Sequence, residues 1–196
     1  MRNTADNVKA WGAGVARVQE AFVRLSPEKR GELHSLACHL MARKSAMQAL
    51  VEQVDAAATC AACRGACCAS GRYHFRNADL LVYLVTGEPL FTPLFGNGAC
   101  PYLAVEGCLM PPAYRPFNCI TFNCEAIEDL LPAGDTARFY QGERELREIY
   151  RQIEELFPGR SLHGALLDLS GEDAAPAPLV ISGGGAATPL SMQCNE

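Results

Sequence analysis

Residues 60–68, CAACRGACC, place four thiols close together, and the last two of them are direct neighbours. Cys60 and Cys63 have the C-x2-C spacing at which two thiolates from one turn reach the same metal ion. The residues between the thiols are mostly small, so the backbone can curl around an ion. Consecutive Cα atoms are about 3.8 Å apart, whereas a disulfide prefers roughly 4.4–6.8 Å. We therefore expect Cys67 and Cys68 to have separate partners.

Eight of the ten cysteines lie between residues 60 and 124. A thiolate donor set suits an iron–sulfur cluster or Zn²⁺, whereas Ca²⁺ and Mg²⁺ require oxygen ligands. Eight thiols are enough for two four-ligand centres, or for one centre plus further reduced or paired cysteines. The alternative that needs no metal is that these cysteines are small buried side chains or form disulfides. The candidate metal ligands are Cys60, Cys63, Cys67, Cys68, Cys100, Cys108, Cys119 and Cys124.

The rest of the chain favours a cytoplasmic protein. Its N-terminus lacks the apolar core of a secretory signal, and no stretch has the length of apolar residues that a membrane span requires. In the cytoplasm thiols stay reduced, and dense cysteine patterns more often indicate metal binding or catalysis than disulfides. The net charge of -5 makes nucleic acid an improbable partner, and an unknown protein partner stays open.

Apolar periodicity predicts a mainly α fold in a single domain over residues 1–170. Residues 1–58 form a helical hairpin, whose second helix is capped by Ser26 and Pro27 and runs toward Ala58. Residues 59–128 form an irregular Cys-rich core with short strand pieces, which metal would organise. A short helix capped by Asn77 and ended by Gly87 interrupts it, and residues 129–170 are again helical. Cys38 falls in a helix and Cys194 in a flexible tail, residues 171–196, so neither is assigned to the core.

Two blocks of the Cys-rich core carry a family resemblance. They are residues 60–68 and residues 100–124, CPYLAVEGCLMPPAYRPFNCITFNC. This pattern resembles the cysteine-cluster (CxxCxxCC) family of zinc- or iron-chelating domain proteins. The resemblance implies metal chelation by the eight cysteines, with the family's Arg-Pro at Arg115. The chain departs from the family name, which implies two residues between the second and third cysteines where this chain has three.

The leading interpretation is an iron–sulfur or zinc protein, with the iron–sulfur cluster slightly favoured. A related segment occurs in flagellin lysine methylases, so one alternative is a redox or methylase-like accessory enzyme. The other is a structural zinc module that binds protein or nucleic acid.

Three further groups of residues have two interpretations each. Arg115 precedes a proline and should be extended, where it would donate to thiolates or carbonyls, or pair with Glu106. Arg72, His74 and Arg76 have strand spacing and form either a contact to an anionic ligand or nucleic acid, with His74 as an alternative metal ligand, or a solvated strand. His74 is also the local histidine that would activate Cys68 as a nucleophile. His34 and Cys38 lie one helical turn apart, which suits metal ligation but is ordinary for a packed helix face.

Overall fold

Seven α-helices form most of the described chain, which comprises residues 3–63, 71–96, 100–105, 107–167 and 194 of the computed structural model. A two-stranded antiparallel sheet pairs β1 (Leu103–Ala104) with β2 (Gly107–Cys108). Single 3₁₀ turns span Pro112–Tyr114 and Pro158–Arg160. The mainly α fold is thereby confirmed. The helices are α1 Thr4–Val23, α2 Pro27–Glu52, α3 Ala56–Ala62, α4 Asn77–Thr86, α5 Phe117–Thr121, α6 Glu125–Glu128 and α7 Ala133–Glu155.

The local signals at the helix ends are mostly confirmed. Ser26 caps α2, where its hydroxyl accepts a hydrogen bond from the Lys29 amide at 3.3 Å, and Gly87 ends α4 with a left-handed φ of 73°. The predicted cap at Asn77 is wrong by one residue, because the cap is Arg76. The Asn77 side chain instead accepts from Arg17 at 3.1 Å and donates to the Gly164 carbonyl at 3.4 Å.

The second helix does not reach Ala58 as predicted. It ends at Glu52, and a separate helix, α3, starts at Ala56. Between them Asp55 has a φ of 52°, a left-handed conformation that aspartate tolerates better than most residues. This break gives Cys60 a helix of its own, which packs against α6.

The long helices pack across the chain rather than as sequential neighbours. Helix α2 packs mainly against α7, the 3₁₀ turn Pro112–Tyr114 and α4, while α1 packs mainly against α4. Apolar residues at three- and four-residue spacing predict a buried stripe on both α1 and α7. On α7 it is confirmed, since Phe139, Leu146 and Ile153 are all buried. On α1 it is wrong at Val8, whose side chain is exposed, because the buried face of this helix includes Gly14 instead.

A cluster of aromatic rings holds the irregular segment that precedes β1 against the helices. Trp11 of α1 has its ring centroid 5.4 Å from that of Phe75 and 5.6 Å from that of Phe91. Tyr102, fully buried, lies 5.8 Å from Phe75 and 5.5 Å from Phe91. Tilted and edge-on aromatic pairs at such distances are favourable. The cluster is therefore an organising element of the Cys-rich core in addition to any metal.

The close approach of α1 to Leu166 gives a first prediction. A Cβ on Gly14 would lie 2.7 Å from the Leu166 carbonyl oxygen, whereas a Cβ on Gly12 would meet nothing within 4 Å. We expect Gly14→Ala to lower the free energy of unfolding by about 1–3 kcal/mol, since a packed backbone must move. Its control on the same helix, Gly12→Ala, should raise it by about 0.5–1 kcal/mol. Urea unfolding measures both values, and equal effects would contradict this packing.

Candidate metal centre

One turn of the described chain contacts two of the predicted ligands. It comprises residues 71–74, directly after residues 64–70, and the His74 amide donates to the Gly71 carbonyl at 3.0 Å. A Cβ on Gly71 would lie 2.6 Å from Cys100 Sγ, so the glycine lets this thiol pack directly on the backbone. Three residues on, His74 Nδ1 lies 3.5 Å from Cys119 Sγ. The turn therefore joins cysteines from two distant parts of the sequence.

Tyr102 is a buried tyrosine whose pKa is influenced by the same two cysteines. Its hydroxyl donates to the Arg72 carbonyl at 3.0 Å. Burial raises the pKa of Tyr102, and the charges of Cys100, Asp79 and Cys119 raise it further. Burial also raises the pKa of Cys100, and a backbone hydrogen bond from Tyr102 opposes this shift. A metal ion would have to displace this thiol's proton to bind it.

The C-x2-C pair lies at the end of α3. Cys63 Sγ donates to the Cys60 carbonyl at 3.3 Å. Helix α3 packs against α6, whose N-cap is Cys124. Cys60 and Cys124 are half-buried against the core, whereas Cys63 is exposed. The first and last cysteines of the predicted ligand set are thus on two helices in mutual contact.

The described residues do not complete a ligand set from these cysteines. Cys67 and Cys68 lie outside the described residues. The described residues do contain one group of three metal-ligating side chains whose ligand atoms all lie within 4.8 Å of one another. It is a different group, His34, Cys38 and Cys194.

Arg115 is extended as predicted, with φ -62° and ψ 144°. Its Nε donates to the Met110 carbonyl at 3.3 Å, which corresponds to the carbonyl alternative given for this side chain. Glu106, its predicted ion-pair partner, lies outside the described residues.

The strand predicted from Arg72, His74 and Arg76 is wrong. Residues 71–73 form a 3₁₀ turn, and Arg76 makes an isolated antiparallel bridge with Ala165. The side chains do not share one face of a strand, because their environments differ. Arg76 forms an ion pair with the buried Glu154 and stacks on a tyrosine ring, while His74 contacts Cys119. The predicted His74 partner Cys68 is outside the described residues.

A buried polar network next to Cys119 was missed by the sequence analysis. Lys44 and Asp79 have fully buried side chains, with Lys44 Nζ 3.5 Å from Asp79 Oδ1. The Tyr150 hydroxyl donates to the same carboxylate oxygen. Burial lowers the pKa of Lys44, and the charges of Asp79 and Cys119 oppose that shift. The available signal was the placement of Lys44 between Leu40 and Met47 on the apolar stripe of α2.

The second candidate group lies on α2. His34 is buried, and Cys38 Sγ lies 3.8 Å from its Nδ1 and 3.9 Å from its Nε2. Cys38 forms a disulfide with Cys194. The sequence analysis assigned no partner to either residue, and the fold brings the two sulfurs together across a separation of 156 residues. Apart from Cys194, the predicted tail lies outside the described residues.

Comparison with protein-family models, with curated proteins and with solved structures found no match for this chain. The resemblance to the cysteine-cluster family therefore stays a prediction. Among the described residues, none of the helices is both long enough and apolar enough to cross a membrane.

Proposed function

We propose that the protein binds a metal through the cysteines between residues 60 and 124, with an iron–sulfur cluster favoured over zinc. The observation that carries this proposal is the turn over residues 71–74. It contacts Cys100 at Gly71 and Cys119 at His74, and in the sequence only two residues separate it from the CAACRGACC stretch. Two downstream thiols therefore lie against the chain segment that adjoins the upstream four.

The charges around this turn suit a thiolate centre. Lys44 is buried and lies within electrostatic range of Cys119; in its protonated form it would favour the thiolate that binds metal. Tyr102 and the aromatic cluster provide the apolar shielding that tunes an iron–sulfur centre. His74 offers a nitrogen ligand or a hydrogen bond to a ligating sulfur. Arg115 stays a proposed contact to the bound group.

A bound cluster would supply electron transfer, and a bound zinc ion would supply a structural cross-link. In either case the chain's own contribution is to hold Cys60 on α3 and Cys124 at the start of α6, and to hold Cys100 and Cys119 against the turn over residues 71–74. The exposed sides of Cys63, Cys108 and Cys119 leave an edge of the centre accessible to an electron-transfer or protein partner.

Anaerobic purification of the full chain tests this proposal. We expect a brown protein with broad absorbance near about 400 nm, containing iron and acid-labile sulfide. A colourless protein with stoichiometric zinc would overturn the iron–sulfur preference and establish the structural zinc module. A metal-free protein whose cysteines, other than Cys38 and Cys194, do not react with thiol reagents would overturn metal binding altogether and indicate disulfides.

A further inference from the structure

We propose that His34, Cys38 and Cys194 form a second, redox-gated site for a thiophilic divalent cation such as Zn²⁺. In the oxidised chain the two sulfurs form a disulfide, and in the reduced chain they bind the ion together with His34. The site shares no residue with the cysteines between residues 60 and 124, so it does not rest on the function proposed for them.

The three ligands converge from one helix face and one distant chain segment. His34 and Cys38 are one turn apart on α2, the spacing at which two side chains share a face. The ligand atoms of His34, Cys38 and Cys194 all lie within 4.8 Å of one another. Tetrahedral zinc with ordinary Zn–S and Zn–N bond lengths holds sulfur and nitrogen about 3.6 Å apart. The observed distances of 3.8 and 3.9 Å between Cys38 Sγ and the two nitrogens of His34 are close to this value.

The burial of the group fits a site with one open position. His34 is buried, Cys38 is half-buried and Cys194 is exposed. An ion held by these three groups would have protein on its inner side and solvent on its outer side. Three protein ligands with water in the fourth position is an ordinary zinc coordination. Two sulfurs and one imidazole also match the softness of Zn²⁺ rather than that of Ca²⁺ or Mg²⁺.

The gating step is a thiol–disulfide exchange. A low-molecular-weight dithiol attacks the Cys38–Cys194 bond and passes two electrons to it, so that the reductant becomes a cyclic disulfide and its two protons end on the two cysteines. Zinc binding then releases both protons, because the ligands are thiolates. A sulfur in a disulfide is not a thiolate and is a poor ligand. The two states therefore exclude each other, while either one cross-links Cys194 to α2.

The consequence is that Cys194 is released from α2 only when the chain is both reduced and metal-free. Oxidation without metal and reduction with metal both keep the cross-link. The site thus couples the link between Cys194 and Cys38 to the thiol redox state and to the supply of zinc.

Peptide-resolved alkylation of the full chain tests this site separately from the other cysteines. The protein is reduced with a dithiol, freed of reductant, and treated with a maleimide in the presence of Zn²⁺ or of a chelator. We expect Zn²⁺ to slow the alkylation of both Cys38 and Cys194 by about tenfold or more, since a metal-bound thiolate is withdrawn from reaction. Without reduction, digestion should yield a cross-linked peptide that contains Cys38 and Cys194.

Substitutions distinguish the proposed zinc ligands from a neighbouring residue that is not a ligand. Cys194→Ser, at an exposed position, should remove the protection of Cys38 by Zn²⁺, and His34→Ala should weaken it. His39→Ala, an exposed histidine on the same helix, should leave it unchanged. Equal alkylation of Cys38 in the wild type with Zn²⁺ and with chelator would overturn the proposal and leave a plain structural disulfide. Undiminished protection in Cys194→Ser would overturn it as well.

Discussion

Replacing Asp79 with alanine is expected to lower the free energy of unfolding by about 3–5 kcal/mol, the usual effect of breaking a buried ion pair by removing one partner. The side chains of Lys44 and Asp79 are both fully buried, so the ammonium group would be left without its counter-charge. The carboxylate also accepts hydrogen bonds from the Tyr150 hydroxyl and, at 2.9 Å, from the Arg76 amide at the start of α4. Urea unfolding of the variant and the wild type measures the loss.

Two controls keep this prediction specific. Asp129→Ala removes an exposed carboxylate and should change the free energy of unfolding by no more than about 0.5 kcal/mol. The double variant Lys44→Met with Asp79→Asn removes both charges and should be less destabilised than the sum of its single variants, because neither charge is then buried alone. A loss for Asp79→Ala as small as that for Asp129→Ala would show that Lys44 does not depend on this carboxylate.

Local sequence signals predicted most of the helices, because each end signal acts within a few residues. Ser26 with Pro27 and the glycine at position 87 act on the backbone next to them, and both were confirmed. The break at Asp55 was not predictable in the same way. Aspartate can adopt the left-handed φ seen here, so the residue type alone does not indicate a helix break. The break coincides with the packing of α3 against α6 and not with a helix-breaking residue.

The partners of the candidate site depend on the tertiary fold, which the sequence pattern does not contain. Spacing identified Cys119 as a candidate ligand but gave it no neighbour, and the structure places it against His74. No sequence prediction singled out Lys44, although it lies between Leu40 and Met47 on the apolar stripe of α2, and its partner, Asp79, is on another helix. The Cys38–Cys194 pair spans 156 residues, a separation over which spacing rules carry no information.

The largest effect on metal content is expected for Cys119→Ser. The Cys119 side chain is exposed, so the substitution should change the stability of the metal-free chain by no more than about 0.5 kcal/mol. If Cys119 is a ligand, losing its thiolate should lower the bound iron or zinc of the purified protein by about tenfold or more. Elemental analysis, with the absorbance near about 400 nm for a cluster, measures this change.

The matched control is the adjacent exposed residue, Asn118. Asn118→Ser alters the same helix, α5, without touching a thiol, and should keep the metal content of the wild type. Cys194→Ser should keep the absorbance near about 400 nm, since Cys194 lies outside the proposed cluster. If Cys119→Ser retained as much metal as Asn118→Ser, the contact between His74 and Cys119 would be ordinary packing. The proposed centre would then have to form from the other cysteines, without the turn over residues 71–74 that supports it here.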